Sequence, residues 1–213
     1  MASHAVLFDF NGTLSDDERI MCEIFQALFA EKGKPLTEQK YFGELVGLSD
    51  VEVVRAWLGE DDPVLLGEKI ARYRERVADG STVTEGAREA VRVAADRAIV
   101  AVVSGAARSE IEPVLEAAGI AGLIATMVTA EDVTNGKPDP EGYLLALDRL
   151  GVEAGGAVAF EDSEPGLDAA RAAGIHCVAV LGTLPRERLA RADAIVQRLD
   201  ADAVRAALAA SPG

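Results

Sequence analysis

Residues 5–18 read AVLFDFNGTLSDDE. The opening AVLFDF (5–10) shows no polar alternation, as expected of a β-strand buried on both faces, and it runs straight into a polar loop that contains glycine. The strand delivers Asp9 to its C-terminal end. Open parallel sheets bind ligands at that edge, and a carboxylate there can act as a nucleophile or a metal ligand. The residue two further on is well placed for an acid/base partner. Here it is Asn11, whose amide exchanges no proton near neutral pH.

Outward from this stretch, further apolar runs read as buried strands: AIVAVVS (98–104), IATMVT (124–129), GAVAFED (156–162) and HCVAVLG (176–182), with DAIVQRL (193–199) a weaker one. Helical periodicity fills the gaps at 84–95, 108–119, 140–150, 165–173 and 200–210. Strands alternating with helices predict an α/β fold, a Rossmann-like parallel sheet with helices on both faces. Residues 15–80 break the pattern. They hold no convincing strand and four helical stretches, 16–32, 37–46, 50–58 and 63–78, separated at Gly33-Lys34-Pro35, Gly47-Leu48-Ser49 and Asp61-Asp62-Pro63. This segment is expected to be an inserted all-helical cap, with 1–14 and 81–213 forming the core domain. Only the tail at 211–213 reads as disordered.

The chain has 213 residues, 49% apolar and 27% charged, with a net charge of −15. That length accommodates one sizeable core plus a small insert. Strong acidity argues against nucleic acid or an anionic membrane as partner, since both are bound by Lys/Arg clusters. A small phosphorylated ligand needs only a local cationic pocket. Cys22 and Cys177 are spaced for neither a zinc site nor a disulfide framework and read as buried thiols. No run approaches the ~18 apolar residues of a membrane span, and no basic segment leads into an apolar core at the N-terminus. The expectation is a cytoplasmic monomer.

Four segments can converge at one sheet edge. Asp9 ends the first strand; Ser104 and Gly105 end AIVAVVSG; Lys137 sits in NGKPDP (135–140); Glu161 and Asp162 end GAVAFED before SEPG (163–166). Singly each signal is weak. A Ser-Gly is usually a turn, a lone lysine is usually solvated, and paired acids favour a helix start. Their order is what matters. Together they supply a nucleophile, donors for phosphate oxygens, a cation for developing negative charge, and carboxylates for Mg²⁺. Phosphoryl transfer is catalysed mainly by such positioning and neutralisation.

FDFNGTL (8–14), VVSG (102–105), GKPDPEGY (136–143) and FEDSEPGLDAARAAG (160–174) resemble, in order, the four motifs of the haloacid dehalogenase-like superfamily. The helical insertion resembles the cap of its β-phosphoglucomutase and phosphoglycolate phosphatase branch. The resemblance implies a phosphatase of a small phosphorylated metabolite. Asp9 would form an aspartyl-phosphate and bind Mg²⁺, with the Asn11 carbonyl and Asp162 as further ligands and Glu161 a ligand or a support behind them. Thr13, Ser104, Gly105 and Lys137 would hold the phosphoryl group. Gly47 and Leu48, in LVGLSD (45–50), would touch substrate from the cap. Arg108 is balanced between reaching the leaving group and facing water. Lys32, Lys34, Lys40 and Lys69 of the insert read as surface lysines.

The departure is Asn11, where phosphatases of the family carry Asp. Three accounts stand open: a slow or specialised phosphatase, a change made to trap a complex, or a phosphorylated-ligand binder with little turnover. If only the acid/base is missing, Asn11→Asp is expected to raise turnover of alkyl phosphates by ~10²-fold or more.

Overall fold

The computed structural model describes residues 4–210; the tail at 211–213 lies outside the described residues. Among the described residues lie six strands: β1 (Ala5–Phe8), β2 (Ile99–Val103), β3 (Thr126–Val128), β4 (Ala157–Glu161), β5 (His176–Val180) and β6 (Ala194–Val196). All are parallel and form one sheet in the order β3-β2-β1-β4-β5-β6. β1 is therefore central, and every side chain of it is fully buried, which explains its unbroken apolar run. Each fully buried Val, Leu or Phe stabilises the fold by roughly 1.5–3 kcal/mol. Phe8 pairs in register with Phe160 and stacks on it at 5.3 Å between ring centres.

Helices α1 (Glu18–Glu31), α2 (Glu38–Lys40), α3 (Asp50–Leu58) and α4 (Pro63–Val77) lie between β1 and the first sheet-packing helix, α5 (Glu85–Ala95). Then follow α6 (Arg108–Ala117), α7 (Glu141–Leu150), α8 (Glu164–Ala172) and α9 (Ala201–Ala210). α5 and α7 pack on β2, α8 packs on β4 and β5, and α9 packs on α5. The helix starts follow capping chemistry. Ser49 and Glu52 form a capping box on α3, Asp62 caps α4 ahead of Pro63, and Ser163 caps α8.

One expected helix is not continuous. The 37–46 stretch splits into the single turn α2 and a wide π-helical turn, Tyr41–Leu45, which stops before Gly47 at φ +85°. Among the described residues no helix is long and apolar enough to cross a membrane. Cys22 and Cys177 are buried and unpaired.

Candidate active site

The strand order changes direction at β1: the chain moves from β1 to β2 and β3 on one side, then crosses to β4 on the other. Ligand sites form outside the C-terminal ends of strands at such a switch. Asp9 leaves β1 there, its N–H donating to the Phe160 carbonyl at 3.0 Å. Ser104 follows β2, Glu161 ends β4 and Asp162 follows it. Lys137 comes from the loop before α7. Its Nζ donates to Asp9 Oδ1 at 2.5 Å and to the Val103 carbonyl at 3.0 Å, and it lies 2.6 Å from Glu161 Oε1. An ammonium has three donors, so Lys137 is fully committed. Glu161 also accepts from Tyr143 Oη at 2.6 Å. Its partners make it a support for the lysine, buried behind Asp9.

Two acids, Asp9 and Glu161, share this one lysine. Burial pushes the Asp9 carboxyl up to about 7; Lys137 pulls it down and Glu161 pushes it further up. Burial likewise raises Asp162 well above the usual carboxylate range, reinforced by Asp9 and Glu18. Burial alone would lower the Lys137 ammonium, but Asp9 and Glu161 outweigh it and hold it above its ordinary value. Carboxylate oxygens of Asp9, Glu161 and Asp162 come within 4.8 Å of one another. Asp162 Oδ2 is buried with no hydrogen-bond partner among the described residues. An all-oxygen donor set carrying an orphaned buried acceptor fits a hard divalent ion such as Mg²⁺. Gly12 makes the approach possible. It sits at φ +73°, and a Cβ there would lie 1.9 Å from Asp162 Oδ2.

Asn11 does not aim its amide at the acids. Nδ2 donates to Asp17 Oδ2 at 3.1 Å and lies 3.5 Å from Tyr73 Oη. Tyr73, on α4, donates to the same Asp17 oxygen, and the Gly12 N–H donates to Asp17 Oδ1 at 3.3 Å. Burial lifts Asp17 to about 6 against these hydrogen bonds. An expected proton carrier is thus replaced by an amide locked onto a buried acid.

A small cavity of about 40 Å³ lies between Asp9, Asn11, Ser104, Gly105, Lys137 and Asp162 on one side and Glu18, Gly47 and Leu48 on the other. Gly47 packs so closely that a Cβ would meet Ser163 Oγ at 2.6 Å. The cavity has room for about one water. Most of the sequence-predicted site residues therefore gather here. Thr13 does not line this cavity. Its Oγ1 lies 3.4 Å from Asp162 Oδ1, and it walls a wide groove of about 750 Å³ outside the acid cluster. Arg108 is not brought to the cavity either. Its guanidinium bonds Asp132 at 2.8 Å and the Met127 carbonyl at 3.1 Å, because the first turn of α6 carries it toward the β3 loop.

Sequence reasoning misplaced Lys69. It is fully buried, 2.7 Å from Asp50 of α3 and 2.8 Å from Glu110 of α6. The signal was present. Leu65, Lys69, Tyr73 and Val77 recur at intervals of four and form the buried stripe of α4. Lys32, Lys34 and Lys40 do lie at the surface, bonded to Asp62, the Leu58 carbonyl and Glu44. Glu18, Asp17 and Tyr41 also escaped notice. Three consecutive acids at a helix start satisfy the helix dipole, and nothing local separates that use from a site.

The profile of the family described as "Haloacid dehalogenase-like hydrolase" matches residues 6–180. The chain is 32% identical over 197 residues to validoxylamine A 7'-phosphate phosphatase from Streptomyces hygroscopicus subsp. limoneus, covering 91% of this chain and 92% of that one. It is 32% identical over 178 residues to a phosphorylated carbohydrates phosphatase from Thermotoga maritima, covering 81% and 82%. Among solved structures, a mutant of CbbY from Rhodobacter sphaeroides in complex with xylulose-(1,5)bisphosphate superposes with a TM-score of 0.81 at 28% identity, covering 92% and 95%. Motif order, the parallel sheet with its switch at Asp9 and the length of the match agree: the chain belongs to the haloacid dehalogenase-like hydrolases.

Proposed function

We propose that this chain is a Mg²⁺-dependent phosphatase of a small phosphorylated sugar or similar polyhydroxylated metabolite, working through an aspartyl-phosphate at Asp9. One observation carries the reading: Lys137 is clamped between Asp9 and Glu161 while an oxygen of Asp162 stays buried and unpartnered. Asp9 Oδ1 is engaged by Lys137, so Oδ2 is the oxygen left to attack phosphorus. Lys137 pulls Asp9 toward its ionised form against burial and offsets charge on the transferring group. Ser104 and Gly105, at the cavity wall, are placed to hold phosphoryl oxygens. Asp9, the Asn11 carbonyl and Asp162 would hold Mg²⁺, which when bound supplies the charge that neutralises the phosphoryl oxygens. The relatives act on, or hold, phosphorylated carbohydrates, which supports the substrate class.

Residues 15–80 serve as the cap in this reading, over a core of 1–14 and 81–213. A cavity of about 40 Å³ cannot admit a sugar phosphate, so the cap must open and close around the substrate. Arg188 marks one contact that opening would break: it bonds Glu164 of α8 and the Phe42 carbonyl of the π-helical turn, the latter at 2.6 Å. The commitment of Asn11 to Asp17 favours a second reading, a binder of phosphorylated ligands with little turnover. A phosphate-release assay over a panel of sugar phosphates, in Mg²⁺ and in EDTA, separates the two. Turnover should require the metal, and Asp162→Ala should remove it while thermal melting shows little loss of fold. Full activity in EDTA contradicts the metal site, and binding without release favours the second reading.

A further inference from the structure

We infer that Glu18 is the proton carrier of this enzyme, doing from the first turn of α1 what the amide of Asn11 cannot do. The inference rests on the phosphatase reading and adds to it the group that handles the proton.

Geometry and elimination single out Glu18. Asn11 has given its amide N–H to Asp17, and an amide could not release that proton in any case. Asp17 is almost fully buried, does not line the cavity, and has both carboxylate oxygens occupied, by Asn11 and Tyr73 on one and Gly12 on the other. Of the acids that do line the cavity, Asp9 is the nucleophile, Asp162 belongs to the metal-type cluster, and Asp50 is paired with Lys69 at 2.7 Å. Glu18 remains. Only one of its oxygens is spoken for: Oε1 accepts from Tyr41 Oη at 2.6 Å, and Tyr41 is its sole hydrogen-bond partner among the described residues. That bond fixes the carboxyl from the cap side and leaves Oε2 for the cavity. Met21 and Phe25 share this face of α1 and wall the same cavity with apolar surface. Such a wall disfavours a charged carboxylate and suits a group that must carry a proton.

The chemistry balances without a further reactant. As Asp9 Oδ2 bonds phosphorus, the bond from phosphorus to the ester oxygen breaks. That oxygen keeps the electron pair and takes the proton from Glu18. In the second half, water bonds phosphorus and gives a proton to the Glu18 carboxylate, the bond from Asp9 to phosphorus breaks, and phosphate leaves. Glu18 ends protonated, as it began.

The test compares kcat/KM for an alkyl phosphate, glucose 6-phosphate, with that for acetyl phosphate, whose leaving group needs no proton. In Glu18→Gln, a near-isosteric change, kcat/KM for the alkyl substrate should fall by ~10²-fold or more while that for acetyl phosphate stays within about threefold. Phosphoenzyme should also build up during acetyl phosphate turnover, because the water is no longer activated. A structural role would lower both kcat/KM values together, and a role in binding sugar hydroxyls would lower the glucose 6-phosphate value with no build-up of phosphoenzyme; either outcome overturns the proposal. Asn11→Asp provides the second variant. It sets a carboxylate against Asp17, and a ~10²-fold gain in alkyl phosphate turnover is expected of it only if position 11 handles the proton. A gain of that size in Asn11→Asp, with Glu18→Gln silent, would assign the proton to position 11 and defeat the inference. Wild type that is active while Glu18→Gln is unchanged defeats only this inference. Wild type that releases no phosphate from either substrate defeats the phosphatase reading and this inference with it.

Discussion

Asp9→Asn is expected to lower phosphate release by more than ~10⁴-fold, as loss of a nucleophile does where the remaining machinery cannot replace it. The substitution keeps shape and volume, so the cavity and β1 should be undisturbed. The same change should raise, not lower, the stability of the metal-free protein at neutral pH. The sign follows from the carboxyl's position. Burial lifts it from 3.8 to about 7 in the folded chain, over the opposing pull of Lys137. The folded protein therefore binds more protons than the unfolded chain between those values, and wild-type stability falls as pH rises through that window. The amide does not titrate. The melting-temperature difference between Asp9→Asn and wild type, measured in EDTA, should be small near pH 4 and grow up to about pH 7. Mg²⁺ should narrow that difference by stabilising wild type. A variant retaining a tenth of wild-type turnover would remove Asp9 from the nucleophile's role.

Lys137→Met carries the second large effect, on rate and stability together. The lysine satisfies Asp9 and Glu161, both buried. Removing one member of a buried charge cluster leaves the others uncompensated, at roughly 3–5 kcal/mol. The rate should fall by about 10²–10³-fold as the charge facing the phosphoryl group is lost. The two consequences separate in a double variant. Asp9→Asn combined with Lys137→Met should recover part of the lost stability, because one uncompensated acid is gone, and recover no activity. Urea midpoints and steady-state rates of the three variants provide the check. An unchanged midpoint in Lys137→Met would show that the acids find compensation elsewhere.

The parts of this account legible in the sequence are those where one local pattern carries one structural meaning. The apolar run at 5–8 reads as a strand buried on both faces and is one, and it carries Asp9 to the sheet edge. The runs ending at Ser104 and Asp162 follow the same logic. What stayed hidden depends on residues meeting across the fold. Asn11 and Tyr73 stand 62 positions apart, and their shared partner Asp17 sits among acids that read as a helix start. Arg108 lies four residues beyond Ser104, yet the turn of α6 points it away. Lys69 differs, because its burial is legible locally. A lysine midway between Leu65 and Tyr73 on one helical stripe is placed for burial, and only its partners, Asp50 and Glu110, come from elsewhere. The 37–46 segment lost its helix at a π-helical turn that propensity does not foresee.

The most direct test of the central claim is to trap the phosphoenzyme. Wild type turning over a phosphorylated sugar in Mg²⁺ is quenched in acid, reduced with borohydride to fix any acyl phosphate, and mapped by peptide mass spectrometry. The account predicts modification of the peptide that holds Asp9, at that residue, and none in Asp9→Asn. Sustained phosphate release with Asp9 unmodified, or a phosphoryl group found on another side chain, would contradict it.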